Sequence, residues 1–179
     1  MTSPDGSLSA LTLVIGGARS GKSRLAEGLA VGSGLARLYV ATAEAWDDEM
    51  RDRIADHRAS RGEGWATVEA PLDLAPALAG LGPDQVVLID CATLWLTNHL
   101  LAEHDLEQEQ ASLLSLLADC RAKVIVVSNE VGLSVVPDNA LARRFRDAQG
   151  RLNQALAAQA GLVVAVWAGL PLVLKGQMP

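Results

Sequence analysis

The sequence predicts an α/β fold, with a mostly parallel central sheet and helices on both faces. Three observations carry that prediction. Short runs rich in Val, Leu and Ile alternate with helical patterns along the whole chain. The runs are apolar almost throughout, as parallel strands buried on both faces must be. Half of the 179 residues are hydrophobic but only 3% are aromatic, so Leu, Val and Ala have to fill the interior. This length suits one domain with a sizeable core. Residues 1–10 read as a short N-terminal tail and residues 11–179 as a single domain.

The elements follow in order. "LTLVIGG" (Leu11–Gly17) is a buried strand, and "SGKSRLAEGLAVGSG" a helix closing near Gly32 to Gly34. "ARLYVAT" is a second strand. "DDEMRDRIADHRASRG" opens with three acids, which suits a helix N-terminus. Its helical period puts Met50, Ile54 and His57 on one face. "WATVEAP" is a short extended piece, and "LDLAPALAGL" a small helix ending in the turn "GPDQ". "VVLIDC" (Val86–Cys91) is a strand with an acid at its end. Residues 93–121 are helical, with an interruption near Glu103 to Asp105. "AKVIVVSNEVG" is a strand with a polar exit loop. "PDNALARRFRDAQGRLNQALAAQAG" is the clearest helix: Asp138 is placed to cap it, and Leu141, Phe145, Ala148, Leu152 and Leu156 form one stripe. Gly161 sits where a C-terminal stop belongs. "LVVAVWAG" and "PLVLKG" finish the sheet. In such a sheet, ligands sit at the carboxyl ends of the strands.

A net charge of −6 argues against nucleic acid as a partner, because phosphate-backbone binding needs a basic footprint. An anionic ligand must be held by local devices instead. Cys91 and Cys120 share no metal-ligand spacing and make no disulfide framework, which fits a reduced, cytoplasmic protein. The tail "MTSPDGSLSA" lacks the basic region and apolar core of a signal peptide. No apolar run is long enough to span a bilayer.

One local device is explicit. Gly16 and Gly21, followed by Lys22 and Ser23, satisfy G-x-x-x-x-G-K-[ST]. Glycines let backbone N–H groups converge on phosphate oxygens without side-chain interference, and the helix that follows adds its positive dipole end. Lys22 would reach the β- and γ-phosphates, and Ser23 would ligate Mg²⁺. The motif lies between a strand and a helix, which makes a chance glycine-rich turn a poor account of it. An acid should end a neighbouring strand and complete the Mg²⁺ site, and "VVLIDC" offers Asp90. Glu130 in "SNEVG" is a second strand-exit acid, for which plain loop solvation is an equal account.

Together these pieces resemble the bifunctional adenosylcobinamide kinase/adenosylcobinamide-phosphate guanylyltransferase family of cobalamin biosynthesis. The resemblance covers nearly the whole chain, through "GGARSGKS", "YVATAEAWDDEM", "VLIDCATLWLTNHL" and "SNEVGLSVVPDNALARRFRDAQGRLNQ". The phosphate loop is generic; the last of these runs is specific. The resemblance implies a P-loop NTPase fold of the RecA-like kind and a homotrimer. It implies phosphorylation of adenosylcobinamide with ATP or GTP, and then transfer of GMP from GTP through a guanylylated histidine, with Mg²⁺ as cofactor. It places that histidine at His57. The implied nucleotide contacts are Gly16, Gly17, Ala18, Arg19, Ser20, Gly21, Lys22 and Ser23, then Ala41, Thr42 and Ala43. They continue at Arg58, Ala59, Ser60, Arg61, Glu69 and Asp90. Where the family has Ala-Thr-Ser, this chain has Ala41-Thr42-Ala43, so any role of Ala43 must rest on its backbone. Where some relatives have two adjacent histidines, this chain has Asp56–His57.

A lone histidine on a helix face is more often structural than catalytic. His57 has Arg53, Arg58 and Arg61 nearby in sequence, and cations of that kind stabilise charge on a transferring phosphoryl group. They would also favour the neutral imidazole that a nucleophile needs. The residues alone leave two other readings open: a simple small-molecule P-loop kinase without guanylyl transfer, and a nucleotide-dependent regulatory module. The last long helix carries Arg143, Arg144, Arg146 and Arg151. Either it is an ordinary exposed face, or it lies near a subunit boundary where arginines meet a neighbour's acids.

Overall fold

A computed structural model of the protein describes residues 7–44 and 62–179. Its elements are β1 (Leu11–Gly16), α1 (Lys22–Gly32), β2 (Ala36–Ala41), β3 (Trp65–Glu69), α2 (Ala75–Leu78), β4 (Gln85–Asp90), α3 (Ala92–Leu101), α4 (Leu106–Asp119), β5 (Lys123–Asn129), α5 (Ala140–Gln159), β6 (Leu162–Trp167) and β7 (Leu170–Lys175). The segment read as an acid-led helix carrying Met50, Ile54 and His57 lies outside the described residues.

The strands form one seven-stranded sheet in the order β3-β2-β4-β5-β1-β6-β7. All pairs are parallel except β6–β7. Successive side chains of a strand point to opposite faces, and here both faces are dry. Leu11, Leu13, Val87, Ile89, Val124 and Val126 meet α3, α4 and α5 on one side. Val14, Val86, Leu88, Ile125 and Val127 meet Ala26, Leu29 and Ala30 of α1 on the other. The uninterrupted apolar runs of the sequence follow from this double burial.

Three local features refine the sequence reading. The break in the 93–121 region separates α3 from α4: Glu103 takes a positive φ of 58°, and the Asp105 carboxylate accepts from the N–H groups of Glu107 and Gln108 at 3.0 and 3.2 Å. Asn139, rather than Asp138, caps α5, its Oδ1 accepting from Ala142 N at 2.7 Å. The cap shifts by one residue because the carbonyls of Pro137 and Asp138 are held by Arg143 Nη1, at 2.9 and 2.8 Å, and the helix then begins at Ala140. Of the predicted stripe, Ala148, Leu152 and Leu156 are fully buried while Leu141 is 54% exposed. The first turn of α5 has therefore not yet reached the core.

β6 and β7 are joined by Ala168 and Gly169, with φ of 52° and 80°. Positive φ at both positions is what a two-residue type I′ hairpin needs. Every residue of β7 is exposed.

Asn139→Ala should cost about 1 kcal/mol of stability, whereas Asp138→Ala should leave it nearly unchanged. Urea denaturation of the two variants checks this, and equal losses would return the cap to Asp138.

Candidate functional site

Because the sheet is parallel from β3 through β6, the strand exits lie along one edge. Register places Gly16 level with Asn129 and Val166, and Ala41 level with both Asp90 and Glu69. The sequence-predicted phosphate loop, the β2 exit, Glu69 and Asp90 thus share the carboxyl edge. Arg58, Ala59, Ser60, Arg61 and His57 lie outside the described residues.

The phosphate loop, residues 16–21, is shaped by close backbone approach. A Cβ on Gly16 would come within 2.6 Å of both Val166 O and Ser20 Oγ. Gly21, with φ of 95°, occupies the residue before α1, and Arg19 also takes a positive φ, 55°. From the far side, Gly169 N donates to Ser20 O at 2.9 Å, so the β6–β7 turn braces the loop. Ala18, Arg19 and Gly21 are exposed, while Gly17, Ser20 and Ser23 are half-buried.

Lys22 opens α1 and is only 9% exposed. Its Nζ donates to Gly17 O at 3.1 Å, across the mouth of the loop. Burial pushes its ammonium down from the usual value, while Cys91 and Asp90 pull the other way. The Cys91 thiol is pushed up to about 11 by burial and by the Asp90 charge beside it, so it stays neutral at physiological pH. Asp90 Oδ2 and Ser20 Oγ are buried without a hydrogen-bond partner among the described residues. An orphaned buried carboxylate oxygen costs free energy unless a ligand uses it. The Asp90 carboxylate and the Ser23 hydroxyl on the first turn of α1 are hard oxygen donors of the kind that suits Mg²⁺.

Thr42 is placed differently from its neighbours. It is fully buried; its Oγ1 accepts from Cys91 N at 2.7 Å and donates to Cys91 O at 2.8 Å. Its carbonyl accepts from Asn98 Nδ2 at 2.9 Å. The Thr42 side chain therefore clamps the β2 exit to the β4 exit from behind, and only the half-buried Ala41 and Ala43 beside it reach the surface. Glu69 is exposed at the end of β3. Glu130 turns its Oε1 to Gly132 N at 2.6 Å, which makes it a loop-shaping acid.

Sequence reasoning missed a buried polar layer behind this edge. Ser128 Oγ donates to Asn153 Oδ1 at 2.6 Å, Gln149 Nε2 bridges both, and Asn153 Nδ2 reaches Asn129 O at 3.1 Å. Thr93 Oγ1 accepts from Asn129 N at 2.8 Å. The signal was present as polar residues at helical spacing within apolar faces: Asn98 in "LWLTNHL", and Gln149 and Asn153 four apart on α5.

The geometry is that of a nucleotide site, and the comparisons say whose. The family described as cobinamide kinase / cobinamide phosphate guanyltransferase matches residues 12–174. The chain belongs to this family. It is 51% identical over 168 residues to the bifunctional adenosylcobalamin biosynthesis protein CobP of Pseudomonas aeruginosa, covering 92% of this chain and 97% of that one. It is 43% identical over 181 residues to the corresponding protein CobU of Salmonella typhimurium, covering 92% and 99%. Among solved structures, the flagellar accessory protein FlaH from Methanocaldococcus jannaschii superposes with a TM-score of 0.53 at 14% identity, over 97% of this chain and 84% of that one. A type III secretion system ATPase of pathogenic bacteria gives 0.54 at 12% identity, over 90% and 53%. These likenesses are of fold alone, and that fold is the RecA-like P-loop NTPase fold. No helix of the described residues is long and apolar enough to cross a membrane.

Thr42→Val keeps the shape but leaves Cys91 N–H without its acceptor, so it should cost roughly 1–3 kcal/mol. Thr42→Ser should retain most of that stability, and thermal denaturation distinguishes the two. Equal stability of wild type and Thr42→Val would remove the clamp.

Proposed function

We infer that the protein carries out both steps of its family's chemistry: it phosphorylates adenosylcobinamide with ATP or GTP, then transfers GMP from GTP to give adenosylcobinamide-GDP. The observation that carries this reading is the extent of the family match. Residues 12–174 take in the phosphate loop, Asp90 and the segment that bears His57.

In the kinase step the loop's N–H groups and Lys22 hold the triphosphate, and the γ-phosphoryl moves to the substrate hydroxyl. Ser23 and Asp90 would hold Mg²⁺, which supplies charge neutralisation on the phosphate oxygens. The dry, buried setting of Lys22 makes its charge count for more than it would in water. In the second step the His57 imidazole attacks the α-phosphorus of GTP. A P–N bond forms, the bond to the β-phosphate oxygen breaks, and pyrophosphate leaves toward Lys22. The GMP then passes to the phosphate of adenosylcobinamide phosphate. Ala41, Ala43, Arg58, Ala59, Ser60, Arg61 and Glu69 complete the nucleotide contacts in this reading.

Incubation with α-labelled GTP tests the reading. Wild-type protein should retain label in a form labile to acid and stable to base, as a phosphoramidate is. His57→Ala should lose the label and lose adenosylcobinamide-GDP formation while keeping much of its kinase turnover, whereas Lys22→Ala should lose phosphoryl transfer. Label persisting in His57→Ala, or absent from wild type, leaves a simple kinase as the account.

We also propose a cytoplasmic homotrimer. The two thiols are free, which suits a reducing compartment. For assembly the support comes from the β6–β7 edge, where Trp167 and Leu170 are each 71% exposed and Leu172 and Leu174 each 59%. A patch of this kind on an edge strand invites a partner. The α5 arginines give little support. Arg143 holds loop carbonyls, Arg146 pairs with Asp147 at 3.1 Å, and Arg144 and Arg151 line a cleft with Glu103, Asp105 and Glu107 of the same chain. Light scattering at micromolar concentration should report three chains, and Leu172→Glu should shift the mass downward. A stable wild-type monomer would sink the proposal.

A further inference from the structure

His99 and His104 take no part in the chemistry above, yet they face each other at the corner between α3 and α4. His99 Nδ1 lies 2.9 Å from His104 Nδ1 and 3.7 Å from Glu109 Oε2. One donor atom from each of the three residues falls within 4.8 Å of the others.

The tautomer of His99 follows from its other nitrogen. Nε2 is 3.3 Å from Leu72 O, and a carbonyl can only accept, so the N–H sits on Nε2. In the neutral ring, Nδ1 then carries a lone pair aimed at His104 and Glu109. A proton on His104 Nδ1 satisfies the two rings alone and leaves the Glu109 carboxylate facing a lone pair. A cation satisfies all three donors at once.

We propose that His99, His104 and Glu109 form a site for one divalent transition-metal ion, Zn²⁺ by the chemistry of the set. Two imidazoles and one carboxylate are a ligand set that Zn²⁺ accepts, with the fourth position left to water. With Zn–ligand bonds of about 2.0–2.1 Å, tetrahedral donors stand about 3.3 Å apart. The 2.9 Å separation must open and the 3.7 Å separation close by about 0.4 Å each, and His104 and Glu109, whose donors lie within 4.8 Å, must approach by up to about 1.5 Å through side-chain rotation. His104 also lines a cleft of about 440 Å³ with Glu103, Asp105, Arg144 and Arg151, which gives the ion access to solvent.

The surroundings already hold the first ligand in place. A ligating histidine characteristically donates its second N–H to a carbonyl or carboxylate, which fixes tautomer and ring angle. Leu72 O does this for His99, and it also accepts from Trp95 Nε1 at 2.8 Å. The Trp95 and His99 rings lie 4.4 Å apart, and His99 is 3% exposed. The ion would tie the last turn of α3, the link and the first turn of α4 together. Through Leu72 it would reach the segment that follows Glu69. Its role is a clamp on the scaffold, away from the phosphate loop.

The test uses the tag-free full-length chain without nucleotide, stripped with a chelator and titrated with Zn²⁺ against a chromophoric competitor. One tight site per chain is expected. His104→Ala and Glu109→Gln, which alter half-buried positions, should each weaken binding at least tenfold while ATP binding holds at the wild-type level. His57→Ala should bind Zn²⁺ like wild type. Co²⁺ in place of Zn²⁺ should give tetrahedral d–d absorption that His104→Ala abolishes. The proposal is overturned if wild type takes up no Zn²⁺ at micromolar concentration, or if His57→Ala loses the site while His104→Ala keeps it.

Discussion

The phosphate loop needs a backbone that curves back on itself with its N–H groups turned inward, and most of the fold near it exists to hold that curve. Two left-handed residues, Arg19 and Gly21, bend the chain. Gly16 can pass Val166 O and Ser20 only because it has no Cβ. Three further contacts fix the curve: Gly169 N on Ser20 O, Lys22 Nζ on Gly17 O, and Glu130 N on Gly16 O. Each comes from a different element, so the hairpin β6–β7, the helix α1 and the β5 exit all meet at one turn. A loop held from three sides loses little further freedom when a ligand arrives, and that preorganisation is what makes backbone amides effective anion ligands.

Behind the loop, polar side chains do inside the protein what water would do outside. Asn98, on helix α3, donates to Thr42 O and to Pro71 O, each at 2.9 Å. It thereby fixes two strand exits at once. Ser128, Gln149, Asn153 and Thr93 do the same at the exit of β5. Strand exits are where ladder hydrogen bonding ends, and their backbone groups need partners when they are buried. The network of side chains supplies those partners and also fixes where the chain turns outward toward substrate. Stability and geometry are coupled here, because removing Asn98, Thr93 or Asn153 would leave a strand-exit backbone group without its partner.

Much of this was legible in the sequence, and the pattern of what was not is physical. The parallel sheet could be read because Val86–Ile89 and Val124–Val127 are apolar on both faces, and the places of Lys22 at a helix start and Asp90 at a strand end because the local pattern marks those boundaries. The cap of α5 was misplaced by one residue, since Asp138 and Asn139 are equally good caps and only the grip of Arg143 on the carbonyls of Pro137 and Asp138 decides between them. Leu141 fits the helical stripe but lies before the helix meets the core, a boundary that periodicity alone does not mark. The resemblance groups Thr42 with Ala41 and Ala43 as nucleotide contacts and says nothing of how its side chain is placed. Its fully buried position depends on Cys91, 49 residues away, and pairing across that separation leaves no local trace. The apolar β7 finishes the sheet as its sequence predicts, and it does so as an exposed antiparallel edge.

The chain is acidic overall, with a net charge of −6, and yet its site must hold a polyanion. The structure resolves this by making the attraction local. Lys22 is buried, so its charge is poorly screened, and its ammonium is destabilised by lost hydration more than Asp90 and Cys91 restore. Among the described residues, its Nζ donates to a loop carbonyl, Gly17 O. Triphosphate oxygens would replace that carbonyl with full negative charge at the same short range, and the cost already incurred in burying Lys22 would not be incurred again on binding. A surface lysine would spend much of its Coulombic gain on desolvation at the moment of encounter. One preburied cation, a helix N-terminus and a curve of backbone amides thus concentrate attraction for an anion at the loop of a chain that is acidic overall.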